Sequence, residues 1–75
     1  MTINHGAADY LYIQLAAILR DQIASGELRA GAKLPTLIQL AAEYDLAEMT
    51  VRKALRVLAA EGVIVTRPSR GVFVA

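Results

Sequence analysis

Two helical stripes meet at "YDL", Tyr44 to Leu46, with room between them for little more than a tight turn. Downstream, Val51, Ala54, Leu55 and Leu58 recur at steps of three and four, which marks one buried face of a helix from about Glu48 to Glu61. Gly62 is placed to end it. Upstream, Thr36 and Gln39 have the spacing of a capping box: the threonine hydroxyl accepts from the third amide and the glutamine reaches back. That predicts a helix from about Thr36 to Tyr44, with Leu40, Ala41 and Tyr44 turned inward. Asp45 suits the turn between them, because a short polar side chain tolerates a left-handed backbone better than most, though less readily than glycine.

The flanks limit what can surround this pair. Tyr12, Leu15, Leu19 and Ile23 form an apolar stripe that predicts a first helix over about 9–25, with Asp9 as its cap and Gly26 as its stop. "SGELRAGAKLP" holds two glycines and a proline, so it reads as a loop with a short strand at Ala32 to Leu34. After Gly62, "VIVTR" and "GVFV" are β-branched and aromatic runs on either side of Pro68-Ser69-Arg70, which predicts an antiparallel hairpin over about 63–74 with a turn of about four residues. At 75 residues the whole chain, 1–75, is one small domain. The expected fold is α+β and mainly helical: three helices plus a small β-hairpin, a winged helix-turn-helix. In that architecture the third helix enters a major groove and the wing reaches an adjacent groove.

Charge and composition narrow the function. The chain has no cysteine, which excludes disulfides and thiolate metal sites and suits a cytosolic protein. No apolar run approaches the roughly 18 residues of a membrane helix, and "MTINHGAADY" lacks a signal-peptide pattern, so no membrane association is expected. Mean hydropathy is +0.43, high for so short a chain, so some apolar surface is expected to stay exposed. Net charge is only +1, weak for a nucleic-acid binder. Its distribution is uneven: residues 1–31 are net negative, 32–62 balance, and 63–75 carry Arg67 and Arg70 alone. The lone histidine, His5, reads as an inert residue of a loose N-terminus. No triad, paired-carboxylate cleft or phosphate loop is present, and "GAKLP" is not a P-loop, so neither enzyme activity nor a cofactor or metal is expected.

"YIQLAAILR", "IASGELRAGAKLP", "MTVRKALRVLAAEG" and "RGVFV" closely resemble the N-terminal domain of GntR-type bacterial transcription regulators, over about Tyr10 to Val74. The resemblance implies a cytoplasmic regulator whose partner is double-stranded operator DNA, bound as a homodimer. In that family a larger C-terminal domain takes an effector and holds the dimer together. This chain ends at Ala75, just after the wing, so it reads either as a piece of such a regulator or as a free-standing module.

Carried over position by position, the resemblance makes Thr50, Arg52, Arg70 and Gly71 the retained contacts. Thr50 would bond a phosphate or base edge, Arg52 would read guanine and Arg70 would enter the minor groove. Thr36, Lys53, Arg56, Arg67 and Ser69 complete the expected face with Glu48 and Met49. Lys53 and Arg56 are either phosphate contacts or solvated charges, and Arg67 is equally an edge-strand cation. Four positions depart from the family. Ile38 replaces an arginine, Ala47 and Glu48 replace Ser/Thr-Arg, and Ser69 stands where the wing has glycine. Ala47 is a poor cap, at a cost of about 1 kcal/mol against serine.

Glu48 admits three readings. It suits the helix macrodipole and pairs with Arg52 four residues on. It can accept from cytosine N4. Or it repels phosphate and weakens binding. An alternative from another class is a winged-helix module whose DNA face, through Ile38, Ala47, Glu48 and Met49, is repurposed to bind a protein partner; Leu37, Ile38 and Met49 could form an exposed apolar patch for it, unless Leu37 tucks inward. Any dimer built by the domain itself is expected to use Ile3, Tyr10 and Leu11, outside the core stripe.

Overall fold

The capping box forms as its spacing predicts. In the computed structural model, which describes residues 3–6 and 10–75, Thr36 Oγ1 accepts the Gln39 amide at 3.1 Å and Gln39 Oε1 accepts the Thr36 amide at 2.8 Å. This launches helix α2, Leu37–Tyr44. Helix α1 spans Leu11–Ala24 and α3 spans Glu48–Ala60. Strands β1, Ile64–Arg67, and β2, Gly71–Val74, pair antiparallel with Ile64 opposite Val74 and Arg67 opposite Gly71. The three helices and the hairpin follow in the predicted order, a winged helix-turn-helix.

The core is where the three helices and the hairpin meet. Leu15, Leu19, Leu40, Val51 and Leu58 are essentially fully buried, joined by Ala54, Ile64 and Val74. α1 and α2 both pack against α3. Ala16 and Ile18 on α1 are also buried, so the inward face is broader than the stripe of Tyr12, Leu15, Leu19 and Ile23. Leu55, expected in the buried stripe of α3, is only half-buried because it turns toward the wing.

Backbone punctuation does the rest. Asp45 adopts the left-handed conformation, φ 53° and ψ 55°, and Leu46 buries its side chain while its amide bonds Ala41 O at 2.9 Å. α3 ends in a Schellman motif on Gly62, φ +79°, with Val63 N–H on Leu58 O and Gly62 N–H on Ala59 O. The expected strand at 32–34 shrinks to a single bridge between Lys33 and Phe73, flanked by bonds to the free edge of β2 from Gly31 N–H to Val74 O, Val74 N–H to Ala32 O and Leu34 N–H to Val72 O. The expected cap Asp9 lies outside the described residues. The cap position is held by Tyr10, whose side chain makes no capping bond. Ala47 likewise caps α3 without a side-chain bond.

Candidate nucleic-acid interface

α3 presents its outward face between two different neighbours. Glu48, Arg52 and Arg56 follow one another a turn apart, all exposed. Arg52 and Arg56 line a groove of about 400 Å³ with Leu37, Leu55 and Ala59, closed on the far side by Thr66 and Val72 of the wing. Lys53 turns the other way, its Nζ 4.9 Å from the centre of the Tyr12 ring on α1. The arginines therefore share a cleft with the wing, while the lysine is partly engaged by a cation–π contact. Met49 is 66% exposed at the head of the helix, and Thr50 is half-buried.

Glu48 does not pair with Arg52. Among the described residues the one ion pair is Arg20–Glu61, at 2.7 Å. The i,i+4 geometry is present, but it contributes only about 0.2–0.5 kcal/mol between exposed side chains, too little to hold them together against solvent. Arg52 is thus unencumbered. The Arg20–Glu61 bonds hold the Glu61 carboxyl below the usual carboxylate range and push the Arg20 guanidinium up. Burial, helped by the Glu43 charge, raises the Tyr44 hydroxyl. None of these groups lies on the outward face of α3.

The wing turn is a four-residue β-turn, Arg67 to Arg70, as expected, with Arg70 N–H bonded to Arg67 O at 3.0 Å. Pro68 occupies the second position and Ser69 the third, with φ +64°, the pattern of a type II turn. This explains why the family has glycine where Ser69 stands. Gly71 has a backbone role: its φ is +117°, and a Cβ there would come within 2.8 Å of Lys33 Cε. Arg67 folds back with its guanidinium carbon 5.8 Å from the Phe73 ring centre, while Arg70 stands exposed at the tip.

Leu37 tucks against the core and into the groove, so the three-residue apolar patch does not form; Ile38, 67% exposed, and Met49 remain. Thr36 is exposed at the head of α2, above an open depression of about 680 Å³ that also contains Lys33. Lys33 was missed as a candidate because only folding brings it under the wing. Ile3 and Leu11, expected outside the core stripe, are partly buried against the core, while Tyr10, and Ile13 on α1, are exposed. His5 is not loose, since its Nε2 lies 3.0 Å from the carbonyls of both Tyr44 and Asp45.

Residues 11–74 match the family model of bacterial regulatory proteins of the gntR family. The chain belongs to the GntR family. It is 40% identical over 72 residues to the HTH-type transcriptional regulator YurK of Bacillus subtilis (strain 168), covering 96% of this chain and 30% of YurK. The chain spans less than a third of the other curated GntR-type repressors it resembles as well. Among solved structures, the GntR-family transcription factor YtrA from Sulfolobus acidocaldarius superposes with a TM-score of 0.87 and 35% identity, over 99% of this chain and 79% of that one. The AraR DNA-binding domain in complex with operator ORX1 superposes with a TM-score of 0.83 and 28% identity, over 85% and 77%. These GntR relatives are transcriptional regulators, and none is named as an enzyme.

Proposed function

We propose that this GntR-type DNA-binding domain regulates transcription by laying α3 in the major groove of operator DNA and the tip of its wing in the adjacent minor groove. The observation that supports this most directly is the pair Arg52 and Arg56, exposed, without an ion-pair partner among the described residues, and sharing one cleft with the wing. Arg52 reads a guanine through its two-pronged donor set. Thr50 and Thr36 donate to base edges or phosphates; Thr36 Oγ1 already accepts the Gln39 amide, so its proton is available. Arg56 and Lys53 neutralise phosphates, and Arg70 enters the minor groove, with Ser69, Gly71 and Arg67 shaping the tip. At the helix heads Ile38 and Met49 offer apolar ends suited to thymine methyls, and Glu48 offers an acceptor suited to cytosine N4.

A net charge of +1 gives one domain little non-specific affinity. Tight binding therefore calls for two copies on two half-sites about 34–36 Å apart, one helical turn. Such a regulator works in the bacterial cytoplasm, where the DNA is; among the described residues no helix is long and apolar enough to cross a membrane. Selection from a random duplex library at low salt tests the proposal. Enrichment of a motif with guanine at a fixed position supports it. A folded protein that enriches no motif would refute it.

A further inference from the structure

His5 sits against the turn of the helix-turn-helix. Its Nε2 is 3.0 Å from Tyr44 O and 3.0 Å from Asp45 O. Both partners are carbonyls, so Nε2 carries the hydrogen and donates, shared between the two. These oxygens end α2, where a helix leaves its last carbonyls without internal partners. They also flank the left-handed residue Asp45, on which the turn into α3 depends.

The segment that carries His5 is itself tied down. Asn4 N–H donates to Gln14 Oε1 at 2.7 Å, and Gln14 Nε2 donates back to Asn4 O at 3.0 Å. Asn4 Oδ1 accepts the Gly6 amide at 3.0 Å, closing a small turn around His5. Ile3 packs against the core. Residues 3–6 therefore bridge α1, through Gln14, to the end of α2. Two residues beyond Asp45 stands Ala47, which supplies α3 with no side-chain cap. The head of α3 thus has no side-chain cap, and besides the burial of Leu46 and Val51 its direction is set by the turn.

We infer that Ile3–Gly6 is a clasp that holds the helix-turn-helix turn, and that His5 is a positioning residue for the recognition helix. The inference rests on the DNA reading proposed above for its effect on affinity, but its effect on the turn stands independently. His5 touches no base. It keeps Glu48 to Arg52 at the angle from which they meet the groove.

The test compares the full chain with His5→Ala and His5→Gln. The probes are a duplex enriched by the unaltered chain from a random library and a scrambled duplex of the same composition. Binding is followed by fluorescence anisotropy over a salt series and corrected for the folded fraction by circular dichroism. His5→Ala should weaken the enriched duplex about three- to tenfold, the worth of one or two hydrogen bonds, and leave the scrambled duplex and the salt slope unchanged. His5→Gln, whose amide nitrogen reaches the same carbonyls, should recover most of the loss. A salt slope reduced by about one phosphate equivalent would instead make His5 a direct DNA contact and overturn the inference. So would equal losses on both duplexes, or none. Amide hydrogen exchange without DNA supplies the second arm. The Leu46 amide, bonded to Ala41 O, should exchange faster in His5→Ala and not in His5→Gln. Unchanged exchange overturns the clasp. If the chain enriches no duplex, the DNA reading fails and exchange alone decides the clasp.

Discussion

Replacing Glu48 by arginine sets two effects of known sign against each other. Glu48 is the first residue of α3 and the only acid in its first turn, and Ala47 before it offers no side-chain cap. An acid there gains about 0.3–1 kcal/mol from the macrodipole. Reversal to arginine forfeits that and adds a repulsion of similar size, so stability should fall by about 0.6–2 kcal/mol. For a domain this small that lowers Tm by about 4–8 °C per kcal/mol. No ion pair is lost, since Glu48 and Arg52 make none. On DNA the change removes one repulsive charge and adds one attractive charge. If one more phosphate is neutralised, the slope of log K against log salt steepens by about 0.9. Over a fourfold rise in salt, the advantage of Glu48→Arg should then shrink about 3.5-fold. If Glu48 instead reads cytosine N4, the same variant should lose about 1–3 kcal/mol on the selected duplex and change its preference at one base pair. Glu48→Gln separates the two, because it removes the charge and keeps the length. Salt-series anisotropy on the selected and scrambled duplexes, with thermal melts alongside, measures each term. A variant that melts lower yet changes neither salt slope nor base preference would show that the head of α3 does not approach DNA.

Other perturbations report on other parts of the face. Arg52→Ala should cost about 1–3 kcal/mol on the selected duplex and relax one guanine position, read by repeating the library selection. Met49→Ala should lose about 0.8 kcal/mol on a duplex with a thymine at its position, and replacing that thymine by uracil in the DNA should weaken the unaltered chain equally and the variant no further. Ser69→Gly should stabilise the wing by about 0.5–1 kcal/mol in urea melts, because it relieves a left-handed serine at the smaller cost of a flexible residue. The folded-state pKa of Glu61 is depressed by Arg20, so the pair's contribution is complete above the ordinary carboxylate value of 4.5 and fades as pH falls below it. Glu61→Gln should flatten the stability profile in that acid window, and added salt should shrink the difference.

The elements were legible in the chain because each is set by neighbours in sequence. The Thr36–Gln39 box, Asp45 at the turn, Gly62 after α3 and the β-branched runs around Pro68 act within a few residues of themselves. Their order implies the fold, because three amphipathic helices and a hairpin of this length have few ways to bury their apolar faces together. Side-chain partnerships were not legible, since they depend on which elements touch. Only packing turned Lys53 to Tyr12, drew Arg67 over Phe73, set Lys33 under Gly71 and closed a groove around Arg52 and Arg56. The Glu48–Arg52 pair shows the opposite error: a favourable spacing that solvent leaves unmade. His5 illustrates the limit most clearly. Nothing near it in sequence distinguishes it, and its partners are backbone carbonyls some forty positions away, which no residue pattern encodes. Local conformation is written in short-range sterics and hydrogen bonding; which charges remain free to meet DNA is decided when distant elements compete for them.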